Sequence, residues 1–206
     1  MVDTQLRARG ICDPRVLAAM LAVPREEFVD EALRDDAYGD WPLPIGAEQT
    51  ISQPYTVAFM AEAAELRGDE KVLEVGTGSG YGAAVLSQLG AVVHTIERIP
   101  ALARRALSTL ARLRFSNVHV HLGDGSLGLV EESPFDVIVV TAGAASLPPS
   151  YTDQLAEGGR IVMPIGKCKS SQHLYRFRNQ HGALSIDDLG TFAFVPLIGD
   201  EGWRAT

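Results

Sequence analysis

Sulfur is scarce in this chain. Two cysteines in 206 residues, Cys12 and Cys168, lie too far apart to suggest a disulfide framework, and neither has a metal-ligand spacing. Cys168 sits in a polar Gly-Lys-Cys-Lys-Ser-Ser turn without a partner base and reads as a surface thiol. Long apolar runs are missing too. None approaches the roughly 18 residues of a membrane span. The opening Met1-Val-Asp-Thr-Gln-Leu-Arg-Ala-Arg-Gly10 has no apolar signal core. Basic blocks are also absent: 18 Lys and Arg stand against 26 Asp and Glu, a net charge of −8. Nothing here would track a phosphate backbone. Repeats, low-complexity tracts and linkers are lacking. These absences point to a cytoplasmic protein with reduced thiols, without a nucleic-acid or membrane partner. His119 and His121 share a strand face, a spacing sometimes used for metals. No third ligand is evident, so they read as structural or surface residues and no metal is expected.

What is present is apolar periodicity. With 46% hydrophobic residues, the chain can bury a sizeable core in one domain. Asp13-Pro14 opens a helix, with a capping carboxylate and proline in the first turn. Val16, Leu17, Met20 and Leu21 follow at helical spacing. Val23-Pro24 breaks it, and a short helix follows near Glu27. Residues 35–53 have no steady period and are expected to form a long loop, of the kind that is usually functional. Tyr38 and Trp41 within it would cover a ligand or pack the loop. A helix opens near Pro54. From Lys71 the expected elements alternate: strand 71–75, helix 81–89, strand 91–96, helix 100–113, strand 118–122, strand 135–141, helix 149–156 and strand 159–164. Gly90 is read as a C′ stop. This rhythm predicts an α/β fold with a doubly wound, mostly parallel sheet. Segments 173–178 and 192–198 are expected as antiparallel strands closing it.

The most informative stretch is Lys71-Val-Leu-Glu-Val-Gly-Thr-Gly-Ser-Gly80. An apolar run ends in Glu74, and Gly76, Gly78 and Gly80 follow at alternate positions around Thr77 and Ser79. Bare glycines after a strand let a ligand approach the backbone amides. Two cofactors compete. Gly78-x-Gly80-x-x-Ala83 fits the degenerate dinucleotide pattern; Glu-x-Gly-x-Gly-x-Gly is the loop used for S-adenosylmethionine. A pyrophosphate wants a helix N-terminus free of anions, and Glu74 would repel it. The ammonium of S-adenosylmethionine suits that acid. Glu97 ends the next strand, about 20 residues on, where either cofactor's ribose hydroxyls would be gripped. Asp124, between Gly123 and Gly125 after the third strand, reads as an adenine contact or as a turn aspartate. Arg98 lies over the adenine or in solvent. Tyr81 contacts the cofactor or packs helix on sheet.

Leu43-Pro-Ile-Gly-Ala-Glu-Gln-Thr-Ile-Ser-Gln-Pro-Tyr55, Val23-Pro-Arg-Glu-Glu-Phe-Val29 and the Gly-rich loop together closely resemble the protein-L-isoaspartate O-methyltransferase family. Further likeness lies in Gly123-Asp-Gly125, Gln154–Gly166 and Phe194–Trp203, so the resemblance covers nearly the whole chain. It implies a class I, Rossmann-like methyltransferase: residues 1–66 would form N-terminal helices and a substrate loop, and 67–206 a cofactor-binding sheet. The implied cofactor is S-adenosyl-L-methionine, with S-adenosyl-L-homocysteine as product. The implied acceptor is the free α-carboxylate of isoaspartyl residues in damaged proteins or peptides, and a monomer is expected. Ser52 would be the active-site hydroxyl and Thr50 its neighbour, with Ile51 and Gln53 against the substrate. Glu74, Gly76, Thr77, Gly78, Ser79, Gly80, Glu97, Arg98, Asp124 and Gly125 would line the cofactor. A lone Ser-x-Pro would otherwise read as a helix cap. One departure is Glu48, where the family commonly has glycine. Rival readings are an aspartate-directed methyltransferase with a dedicated peptide partner, a nicotinamide-dependent oxidoreductase, and a non-catalytic binding module.

Overall fold

A computed structural model describes residues 1–168 and 171–204; the side chain of Cys168 lies outside what is described, and Cys12 is an exposed free thiol. After two short turns over residues 2–9, helix α1 spans Pro14–Ala22, and the Asp13 carboxylate caps it by accepting from the Arg15 amide at 2.7 Å. Residues 25–28 and 31–36 form tight 3₁₀ turns. The expected long loop contains a hairpin, β1 Leu43–Gly46 and β2 Gln49–Ile51. The sequence hides it because Ala47 and Glu48, at the turn, take φ of 51° and 58°, a conformation usually signalled by Asn or Gly. Helix α2 covers Pro54–Ala63. The carboxylate of its Glu62 accepts from the Cys12 and Asp13 amides at 2.7 and 2.6 Å, tying the N-terminal turns to the body.

The remaining elements are β3 Lys71–Val75, α3 Tyr81–Leu86, β4 Val92–Glu97, α4 Pro100–Arg112, β5 Val118–Leu122, β6 Phe135–Val140, α5 Pro149–Asp153, β7 Leu155–Cys168, β8 Ser171–Gln180 and β9 Ala183–Phe192. They form a seven-stranded sheet in the order β5-β4-β3-β6-β7-β8-β9. β5 through β7 are parallel, and β8 and β9 antiparallel. Alternation along the strands sorts side chains to two faces. Val72, Val137, Val139 and Val162 pack with α1 to α4, and Leu73, Val75, Phe135, Ile138 and Ile161 pack on the other side. Leu102, Ala103, Ala106 and Leu110 give α4 its buried stripe, at helical spacing.

Four expectations need correction. The helix expected over 149–156 stops at Asp153, and the strand expected from 159 already begins at Leu155. Helix α3 stops at Leu86 rather than residue 89, and tight turns carry the chain to Gly90. Gly90 has no left-handed φ; a Cβ there would meet Val72 Cγ2 at 3.0 Å, so space between helix and sheet demands it. The last strand is 183–192, not 192–198. Segment 183–192, Ala-Leu-Ser-Ile-Asp-Asp-Leu-Gly-Thr-Phe, mixes apolar and polar residues with an Asp-Asp pair that breaks strict alternation, and ion pairs of Asp187 with Arg176 and Arg178 on β8 support its pairing. Residues 193–198 leave the sheet and make only isolated bridges, Pro196 to Gly143 and Ile198 to Trp203, as a proline inside an aromatic run favours.

His119 and His121 do gain a neighbour, His94 on β4, whose Nδ1 lies 3.1 Å from His121 Nε2. Among the described residues no group of three ligating side chains is arranged to hold a metal, and no helix is long and apolar enough to cross a membrane.

Candidate active site

The chain runs outward through β3, β4 and β5, then crosses back to β6 on the other side of β3. That reversal leaves a crevice beyond the carboxyl ends of β3 and β6, where open α/β sheets bind ligands. Thr141, just after β6, closes its floor: its hydroxyl donates to the Val75 and Gly76 carbonyls at 3.0 and 2.8 Å. A Cβ on Gly76 would lie 2.4 Å from that hydroxyl, so only glycine fits. Gly76, Gly78 and Gly80 all have positive φ, at 96°, 54° and 89°.

Above this floor is a cavity of about 710 Å³, within the range of small-molecule sites. It is lined by the segment Thr50–Gln53 and by Glu74, Gly76, Thr77, Gly78, Ser79, Glu97, Arg98 and Gly125. So it gathers, around one space, most of the residues singled out in the sequence. Gly80 and Asp124 do not line it. Gly80 faces Ala106 and Leu110 of α4, where a Cβ would sit 3.3 and 3.2 Å from them. The Asp124 carboxylate is committed elsewhere: it accepts from the Ser126 amide and hydroxyl at 2.9 and 2.7 Å and from the Asp200 amide at 2.8 Å. Of the two readings of this residue, its present contacts are those of the turn aspartate.

Both other acids are buried. Burial pushes the Glu74 carboxyl up to about 8; the Thr95 hydroxyl, donating at 2.6 Å, opposes that shift and the Glu97 charge adds to it. Glu97 accepts from the Gly78 amide through one oxygen and from the Ile99 amide through the other, both at 2.9 Å. The loop amide a pyrophosphate would seek therefore already faces a carboxylate.

Ser52 is not a helix cap. Gln53 holds the N-cap position of α2 and Pro54 its first turn. The Ser52 carbonyl accepts from Arg25, while among the described residues nothing hydrogen-bonds its hydroxyl. The Gln53 amide donates to the Asp40 carbonyl at 2.9 Å, pinning the loop. Tyr38 and Trp41 stay partly exposed outside the lining, with the Tyr38 hydroxyl bound to Glu26. Tyr81 lines the cavity and is buried against Phe28. Several lining residues were not singled out as site residues in the sequence: Arg9, Tyr55, Thr141 and the 192–198 segment. For 192–198, Pro196 argued against the strand reading; the others depend on distant elements meeting.

A family model described as protein-L-isoaspartate(D-aspartate) O-methyltransferase matches residues 1–202. The chain belongs to this family. Protein-L-isoaspartate O-methyltransferase 1 of Rhodopseudomonas palustris strain HaA2 is 56% identical over all of this chain and 84% of its own length. The Protochlamydia amoebophila protein of the same name is 51% identical over 100% of this chain and 99% of its own. Among solved structures, one protein-L-isoaspartate O-methyltransferase superposes with a TM-score of 0.85 at 33% identity, covering 95% of this chain and 64% of that one. Another, a putative family member from Plasmodium falciparum in complex with S-adenosyl-L-homocysteine, gives 0.81 at 28% identity over 93% of this chain and 94% of that one. Membership in the isoaspartate methyltransferase family, with the class I methyltransferase sheet, removes the oxidoreductase reading.

Proposed function

We propose that this chain transfers the methyl group of S-adenosyl-L-methionine to the α-carboxylate of L-isoaspartyl residues in damaged proteins or peptides. The backbone nitrogen of the following residue then attacks the methyl ester and expels methanol, closing a succinimide unaided, and hydrolysis of that ring returns some normal aspartate. The observation that carries the reading is the meeting, in one cavity, of the Thr50–Gln53 segment with two buried carboxylates and a glycine loop.

The donor set fits the cofactor. Glu74, buried with no cation beside it among the described residues, suits an ammonium, which would restore its charged form. Glu97 suits ribose hydroxyls. Gly76 and Gly78 leave room for close approach, with Thr77, Ser79, Arg98 and Gly125 completing the wall. Gly80 contributes by seating α3 on α4. Asp124 contributes by shaping residues 125–126 and 199–201.

When bound, the cofactor supplies an electrophilic methyl on a sulfonium. The chain's own task is then positioning. A carboxylate is already a nucleophile at neutral pH, so no general base is required. The Ser52 hydroxyl donates to that carboxylate and holds it in line, with Thr50, Ile51 and Gln53 shaping the approach. Charge is lost as anion and cation combine, so a dry cavity favours reaction, and orientation carries most of the rate. The finer readings are a monomeric, cytoplasmic enzyme of one unit, residues 1–206, with no nucleic-acid or membrane partner. The net charge of −8 and a site built within one chain support them.

The test is methyl transfer from labelled S-adenosylmethionine to one peptide in isoaspartyl, aspartyl and asparaginyl forms. Base-labile label on the isoaspartyl form alone is expected. Label on the aspartyl form would replace this reading with a dedicated tailoring enzyme.

A further inference from the structure

Val23-Pro-Arg-Glu-Glu-Phe-Val29 has no part in the cavity, yet its Arg25 is fully buried, at 0% exposure. A buried guanidinium is costly, and apolar side chains would fill the same volume more cheaply. Its electrostatic neighbours are Tyr81 and Tyr38 rather than an acid, and burial lowers its pKa. Its contacts are specific instead. Nε donates to the Ala37 carbonyl at 2.7 Å and Nη2 to the Ser52 carbonyl at 2.8 Å. The guanidinium lies 4.8 Å from the centre of the Tyr81 ring, within cation–π range. Nη1 is buried without a hydrogen-bond partner.

Those contacts join three separate segments. Ala37 precedes the β1–β2 hairpin, Ser52 carries the hydroxyl proposed to hold the substrate carboxylate, and Tyr81 begins α3 directly after the glycine loop. Fixing the Ser52 carbonyl fixes the peptide plane that follows Ser52, and so constrains where its hydroxyl can point. The cation–π contact with Tyr81 refers that plane to the cofactor loop. Resting on the methyltransferase reading above, we infer that Arg25 is a positioning residue for methyl transfer: it sets the Ser52 hydroxyl relative to the cofactor loop without touching either reactant. A planar fork serves two carbonyls and a ring at once; a lysine ammonium cannot.

Two variants test this. Arg25→Lys keeps the charge but cannot hold both carbonyls. Arg25→Met keeps the volume without the buried charge and is expected to fold. For each, S-adenosylhomocysteine binding by calorimetry gives the affinity and the fraction of sites intact, and isoaspartyl peptide kinetics give kcat and KM. Expected are full site occupancy, a cofactor Kd within about 3-fold of wild type, and a kcat lower by ~10–100-fold, the scale of misplaced reactants. Adding Ser52→Ala to Arg25→Lys should cost less than about 3-fold more, because both act on one hydroxyl. Three results would overturn the role: a folded variant with wild-type kcat, a fall in kcat matched by an equal loss of binding sites, or full multiplication of the two mutational effects. A wild-type protein that binds the cofactor but leaves the isoaspartyl peptide unlabelled would instead sink the functional reading itself.

Discussion

The Glu74 carboxylate lies where a side chain on residue 82 would begin: a Cβ on Gly82 would sit 2.2 Å from Glu74 Oε1. Gly82 is the second residue of α3, and alanine there would ordinarily favour the helix by about 1 kcal/mol. Here the overlap decides. Gly82→Ala is expected to cost about 1–3 kcal/mol by overpacking and to weaken S-adenosylhomocysteine binding by ~10-fold or more. In a Glu74→Ala background the space is open, so Gly82→Ala should no longer lower thermal stability. Equal destabilisation in both backgrounds would sever the relationship.

The same acid makes the cofactor-free protein sensitive to pH. Its folded pKa, about 8, stands above the ordinary carboxylate value of 4.5. The folded state therefore holds a proton that the unfolded state has released between those values. Stability falls as pH rises through that window and levels above it. Thermal unfolding of Glu74→Gln should show a flatter profile from pH 5 to 8. An ammonium placed beside Glu74 would also expel that proton, so cofactor binding near pH 7 should release protons in wild type and not in Glu74→Gln. Calorimetry in buffers of different ionisation enthalpy reads this directly.

The role proposed for Ser52 is orientation, so its loss should be graded. Ser52→Ala is expected to lower kcat on the isoaspartyl peptide by ~10–100-fold, with cofactor affinity unchanged. Because Ser52 is not the helix cap, unfolding temperature should hardly move. A wild-type rate would remove it from the machinery.

Glu48, the departure noted in the sequence, has a backbone consequence. It sits exposed at the β1–β2 turn with φ of 58° and lies outside the cavity lining. Left-handed backbone costs a non-glycine residue about 1–2 kcal/mol, partly offset by the greater unfolded-state freedom of glycine. Glu48→Gly should raise stability by ~0.5–1 kcal/mol by chemical denaturation and leave kcat and KM for neutral peptides unchanged. A changed preference between acidic and basic flanks would instead place Glu48 at the substrate.

Local patterns set much of this protein. Asp13-Pro14 announced α1, and Phe135–Val140 announced a central strand because a strand covered on both faces has no polar side. Glu74, the alternate glycines and Glu97 announced a cofactor loop because backbone geometry demands glycine where φ is positive. None of that required distant contacts. Tertiary structure alone decided the rest. β9 breaks its alternation at Asp187-Asp188, and its pairing is supported by charges carried by β8. Asp124 read as an adenine contact in register after Glu74 and Glu97 until Ser126 and Asp200 met its carboxylate. Ser52 could have been a cap until Gln53 took that position. Arg25 reads as an ordinary charged residue after a proline, and only the packing of residues 37, 52 and 81 around it gives the guanidinium its partners. Short-range sterics and periodicity are written along the chain; which polar groups satisfy one another in the interior depends on segments far apart in sequence arriving at the same place.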